Sequence, residues 1–213
     1  MLEPRAIYTT VHLVGAASAV SVALAIDAYL LAMIWRRRVV STAGVTMIRA
    51  GSGVVRSAFL LLAVSGALLV LDDPTRYLGS GKFLAKMTVV LVIAGNGAFI
   101  HRYALPCLAR LEGVRLADAV ALGARRTLLF GSAAVSTASW VAALVLGLSG
   151  STDLTYAELM LGYLVVLAAA VCAAQVVGGR VGRWALTVRF PEHGSHGVVG
   201  RARAATLRGP PRR

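Results

Sequence analysis

Five long apolar runs, near residues 7–35, 54–71, 83–105, 128–148 and 157–177, constrain this chain more than any other feature. Each is close to or above the roughly 20 residues that a helix needs to cross a bilayer. Lipid offers no partner to a free N–H or C=O, so a segment that crosses it must be helical or part of a closed barrel, and the Leu, Ala and Val content favours helix. The second helix is expected to begin earlier than its apolar run, near Ala43, with Arg49 and Arg56 reaching back to the headgroups. Composition agrees: 58% of residues are hydrophobic and 15% charged, against about 25% charged in soluble domains. The sequence therefore predicts an all-α, polytopic membrane helix bundle with five transmembrane helices. The first run carries its positive charge after it, in Arg36, Arg37 and Arg38, which reads as a retained span rather than a cleaved signal.

Formal net charge is +13, which in a soluble protein would suggest nucleic acid. Here the arginines fall in the gaps between apolar runs and form no basic stripe with interleaved aromatics, so nucleic acid is not expected as a partner. The gap after the first span holds Arg36, Arg37, Arg38, Arg49 and Arg56 without an acid. The gap after the third holds Arg102, Arg110, Arg115, Arg125 and Arg126 against Glu112 and Asp118. The gaps after the second and fourth carry Asp72, Asp73, Asp153 and Glu158 with few cations. The positive-inside rule then puts the N-terminus outside and the C-terminus in the cytoplasm. Residues 1–178 read as the transmembrane domain, and 179–213, rich in Gly, Arg and Pro, as a mostly disordered basic tail that lies on anionic headgroups. The stretch 107–123, with Leu108, Leu111, Leu116 and Val120 among charges, is expected to form a short interfacial helix. Cys107 and Cys172 belong to no paired motif and read as free thiols.

Ionisable groups inside spans are costly, which makes them the natural functional candidates. His12 and Asp27 lie on the first helix, Lys86 and His101 on the third. A separation of fifteen residues returns to within about 60° of the same helix face and spans about 22 Å of depth. The two helices run in the same direction, so His12 shares a level with Lys86 toward the outside, and Asp27 shares one with His101 toward the cytoplasm. Asn96 joins the inner layer as a neutral partner for Asp27, and Asp27 is expected to meet His101 or Asn96 on the third helix. A haem held between His12 and His101 is disfavoured by their opposite depths. Ser132, Ser136 and Ser139 read as small residues that allow close helix packing. His193 and His196 in the tail read as solvated.

Ser65-Gly66-Ala67-Leu68-Leu69, then Tyr77 through Lys86, Asn96-Gly97, and His101-Arg102-Tyr103-Ala104-Leu105-Pro106, together with the opening Val11-His12-Leu13-Val14-Gly15, resemble the copper-resistance protein D family over residues 11 to 106. The arrangement is also similar to the membrane-bound haem-pathway protoporphyrinogen oxidase of bacteria, where a first-helix histidine and a third-helix lysine recur. The chain departs from both in having Ala17-Ser18-Ala19 where a Trp usually follows the first-helix histidine, and in adding Asp27. The resemblance implies a bacterial inner-membrane protein in which His12 and Lys86 bind haem b or copper. On the residues alone, a metal, haem or proton function between helices one and three stands beside a non-enzymatic scaffold or subunit that meets a membrane-protein partner or a second copy of itself.

Overall fold

The second, third and fifth spans start where a side chain can accept the N–H groups that the first turn leaves open. Ser41 caps the second span through Gly44 N–H at 3.1 Å, and Ser80 caps the third through Phe83 N–H at 3.4 Å. Thr155 and Glu158 form a reciprocal capping box on the fifth, with Glu158 accepting from Thr155 N–H at 2.7 Å and Thr155 Oγ1 accepting from Glu158 N–H at 3.3 Å. Asp73 caps the short helix Pro74–Leu78 that turns the chain between the second and third spans.

The computed structural model describes residues 3–117, 125–150 and 153–189. Among them are five helices long and apolar enough to cross a membrane: Pro4–Trp35, Thr42–Asp72, Gly81–Ala109, Arg126–Leu148 and Tyr156–Arg180. The described residues contain no strand, only an isolated antiparallel bridge between Val39 and Arg115. The protein is a multi-pass helical membrane protein. Its large apolar side chains on the outside of the bundle, such as Leu60, Val64, Leu91 and Leu161, are exposed as lipid contacts require.

The first span lies along the second, and the fourth packs against the first, the third and the fifth. The central cluster, Ala19, Val20, Ala23, Ala58, Val89, Ile93, Trp140 and Tyr163, draws on all five spans. Small residues set the closest approach between spans one and two: a Cβ on Gly15 would meet Leu62 Cγ at 3.4 Å and the Ala58 carbonyl at 3.5 Å.

Both arginine-rich gaps come to the same end of the bundle. Val40 N–H donates to the Val114 carbonyl at 2.9 Å, and Gly113 N–H donates to the Val40 carbonyl at 2.9 Å. Gly113 turns with φ 81°, a conformation that suits a residue without a Cβ. A second apolar cluster, including Met33, Ile34, Val40, Leu116 and Phe130, closes this end.

In the stretch 107–123, the third helix ends at Ala109, the chain turns back to pair with the first gap through Gly113 and Val40, and helix starts again at Leu116. Leu116 and Ala117 are buried, and the remainder from residue 118 to 124 lies outside the described residues. The fifth helix runs on to Arg189 rather than ending near Gly178. Ala185, Leu186 and the arginines of that stretch are good helix formers that propagate a helix already nucleated in the span. The rest of the basic tail, with His193 and His196, lies outside the described residues.

Gly81 gives the fold a sharp test. A Cβ there would lie 2.9 Å from the backbone nitrogen of Tyr156, whereas one on Gly53 would meet nothing within 4 Å. Gly81→Ala is expected to destabilise the bundle by about 1–3 kcal/mol, read as a lower thermal midpoint in detergent. Gly53→Ala should leave the midpoint unchanged or raise it.

Candidate functional site

His12 sits about a quarter of the way along the first span and turns toward the second. Its Nδ1 lies 3.1 Å from Ser65 Oγ. Ser65 is 3% exposed, and its hydroxyl donates to the Leu61 carbonyl at 2.7 Å, with Leu62 O a longer acceptor at 3.3 Å. The proton of Ser65 is thus engaged along its own helix, and its oxygen is left to accept from His12 Nδ1–H. In the neutral ring this leaves a lone pair on Nε2. Gly66 makes room for the imidazole, since a Cβ at that position would come within 3.3 Å of His12 Cε1. The Ser65-Gly66 pair is the seat of the histidine, a link the sequence did not disclose.

Lys86 enters from the third span close enough to His12 for the two side chains to interact electrostatically, and its Nζ would lie 3.7 Å from a Cβ on Gly147 of the fourth. Among the described residues no acid pairs with Lys86. One turn earlier, Lys82 donates to the carbonyls of Ser149 and Gly150, the latter at 2.7 Å. A cation at a helix C-terminus answers both the open carbonyls and the negative end of the dipole. Lys82 therefore closes the fourth span, while Lys86 is left to face His12. The sequence-derived pairing of His12 with Lys86 at one level is what the structure places together.

The inner layer is arranged differently from the expectation. Asp27 Oδ2 accepts from Thr137 Oγ1 at 2.9 Å, and Ser136 supplies a second hydroxyl. Both belong to the fourth span. Asn96 spends its amide on the same helix: Nδ2 donates to the Ser132 carbonyl at 3.0 Å, and Oδ1 accepts from Ser132 Oγ at 2.9 Å. His101 is turned to the second span, where Arg56 Nη1 lies 3.2 Å from its Nε2. An arginine only donates, so this nitrogen accepts. Asp27 thus meets neither His101 nor Asn96. Depth places residues on one level, but the fourth span packs against both the first and the third and takes up the polar groups of each.

The fourth span is a hydroxyl-bearing spine. Beyond Ser132, Ser136 and Thr137, its Ser139 is fully buried and bonded to Tyr163 of the fifth span at 2.8 Å. Sequence reasoning treated these serines as packing residues. The recoverable signal was the spacing of the serines by four and then three residues, which aligns their hydroxyls on one helix face, with Thr137 about 100° round from Ser136.

Among the described residues no group of three His, Cys, Asp or Glu side chains could hold a metal ion. A haem, which brings four nitrogens of its own, asks the protein for an axial ligand and a cation for its propionates. His12 Nε2 and Lys86 fit that demand. Comparison with protein-family models, with curated proteins and with solved structures gave no match in any of the three.

Proposed function

We propose that this chain is a small multi-pass protein of the bacterial cytoplasmic membrane, of the copper-resistance-D-like kind, that handles haem, copper or protons at a site between its first and third spans, with haem the leading ligand. The observation that carries the reading is the His12–Ser65 hydrogen bond. It fixes the imidazole from behind and presents Nε2, as a second hydrogen bond does for ligating histidines generally. Lys86 adds the positive charge that an anionic porphyrin edge or a small anion would meet. When bound, haem would supply one-electron chemistry. The chain's own residues would orient it, exclude water with the apolar walls around Ala19 and Val89, and balance its charge.

The inner layer supports a proton role for the same bundle. Asp27 has hydroxyl partners and, among the described residues, no cationic one, in a setting where a carboxyl group is retained for use or for helix contact. One observation favours a second reading, a non-enzymatic scaffold or complex subunit: Asn96 and Ser132 satisfy each other across two helices, as residues that only hold a bundle together would.

Absorbance and elemental analysis of protein purified from cells supplied with haem and copper separate these. A Soret band or near-stoichiometric copper supports the first reading, and a colourless, metal-free protein leaves the scaffold. Orientation is tested apart from cofactor. Reporters that work only outside the cytoplasm should be active when fused after Asp73 or Ser151, and silent after Arg38, Glu112 or Arg201. The reverse pattern would overturn the placement of the arginine-rich end in the cytoplasm.

A further inference from the structure

At the arginine-rich end the third span changes its winding. Pro106 has no N–H to return to the preceding turn, and residues Ile100–Ala104 adopt a π-helical turn in which Leu105 N–H bonds to the Ile100 carbonyl. A groove of about 290 Å³ lies beside this turn, between the third and fourth spans. Its walls are of two kinds. Phe99, Leu128 and Leu129 supply apolar surface, and Arg102, Tyr103 and Arg110 supply polar groups, two of them cationic. Leu128 and Tyr103 are exposed, and the Phe99 and Tyr103 rings stand 5.5 Å apart along the rim. No carboxylate among the described residues pairs with Arg102 or Arg110.

We propose that this groove binds an anionic diacyl phospholipid, with the phosphate between Arg102 and Arg110 and an acyl chain along Phe99, Leu128 and Leu129. Charge complementarity selects the headgroup: two guanidinium groups present planar, forked donors that match phosphate oxygens. The apolar wall selects a lipid over free phosphate, because an inorganic anion would leave it uncovered. The position fits, since basic recesses between helices at the headgroup level are where lipid phosphates are met. The site is separate from His12 and Lys86, which lie toward the other end of the bundle, and stands or falls without them.

The test uses the full chain in mixed micelles with phosphatidylglycerol, phosphatidylcholine or inorganic phosphate. Cys107 lines the same groove. In the unmodified protein, phosphatidylglycerol should slow maleimide labelling of Cys107, and neither phosphatidylcholine nor phosphate should do so. Arg102→Gln with Arg110→Gln should weaken phosphatidylglycerol binding roughly tenfold or more, whereas Arg201→Gln with Arg203→Gln, which removes the same charge from the tail, should weaken it much less. Equal protection by phosphatidylcholine would overturn the headgroup assignment, and equal protection by phosphate would reduce the groove to an anion site. Unchanged labelling with every additive would remove the proposal, whether or not the arginine variant folds.

Discussion

His12→Ala is expected to abolish the Soret band of the purified protein while the helical content and the elution position in detergent stay as they were. The side chain is half-buried and bonds to Ser65 of the second span, so its loss leaves a small gap between the first two spans and no unpaired charge. Ser65 retains its bond to the Leu61 carbonyl. Folding should therefore survive a change that removes the imidazole at this level. Two further variants give the result its meaning. Ser65→Ala keeps the ring but removes the acceptor that sets its orientation, and should weaken retention of the haem by roughly 10- to 100-fold. Lys86→Met should weaken it less than His12→Ala, because water can replace part of a point charge and cannot replace an axial nitrogen. A Soret band that persists in His12→Ala, or equal losses in all three variants, would remove His12 from the ligand role.

The order of these effects also separates a site from a packing contact. If His12 only joined two helices, Ser65→Ala and His12→Ala would be non-additive in their effect on the thermal midpoint, since each deletes the same hydrogen bond. Lys86→Met would then have no reason to follow them, because Lys86 sits on a third helix.

What the sequence disclosed and what it withheld follow from which forces act on each feature. The five spans were legible because a bilayer leaves the backbone no alternative to helix, and apolar length reports that directly. The common side of the two arginine-rich gaps was legible as well, and the bond from Val40 to Val114 shows them meeting. The His12–Lys86 level could be found from rise per residue alone. Rotation about the helix axis and the choice of neighbour could not. They depend on which small residues let which helices approach, as Gly15 does against Ala58 and Leu62, and no residue count encodes that choice. For this reason Asp27 could be assigned a depth and not a partner. The fourth span was underread because serine is both small and polar. Its size predicts close packing, and its hydroxyl, once packed, finds the nearest acceptor, as Ser139 does at Tyr163. The π-helical turn at Ile100–Ala104 was hidden for a different reason: Pro106 signals a disturbance in the helix, and the register in which it is absorbed depends on the packing around it.

Asp27 gives the second large effect expected. In a double-mutant cycle, Asp27→Leu and Thr137→Val should each destabilise the bundle, and their coupling should be about 1 kcal/mol, the scale of interhelical hydrogen bonds in membranes. The cycle of Asp27→Leu with His101→Ala should give coupling near zero, because His101 is engaged by Arg56 of the second span. Thr137→Val is close to isosteric, so its cost reports the lost hydroxyl rather than a cavity, and Thr137→Ser should restore most of the stability. Asp27→Asn tests what the carboxyl group is for. An amide can still accept from Thr137 and Ser136, so a structural carboxyl would tolerate the exchange. A proton-carrying one would not: the Asp27→Asn protein should stay folded and lose proton uptake when it is reconstituted in vesicles carrying a pH-sensitive dye. Strong coupling of Asp27 to His101, with none to Thr137, would mean that the first and third spans meet directly at this depth and would overturn the fourth span's place between them.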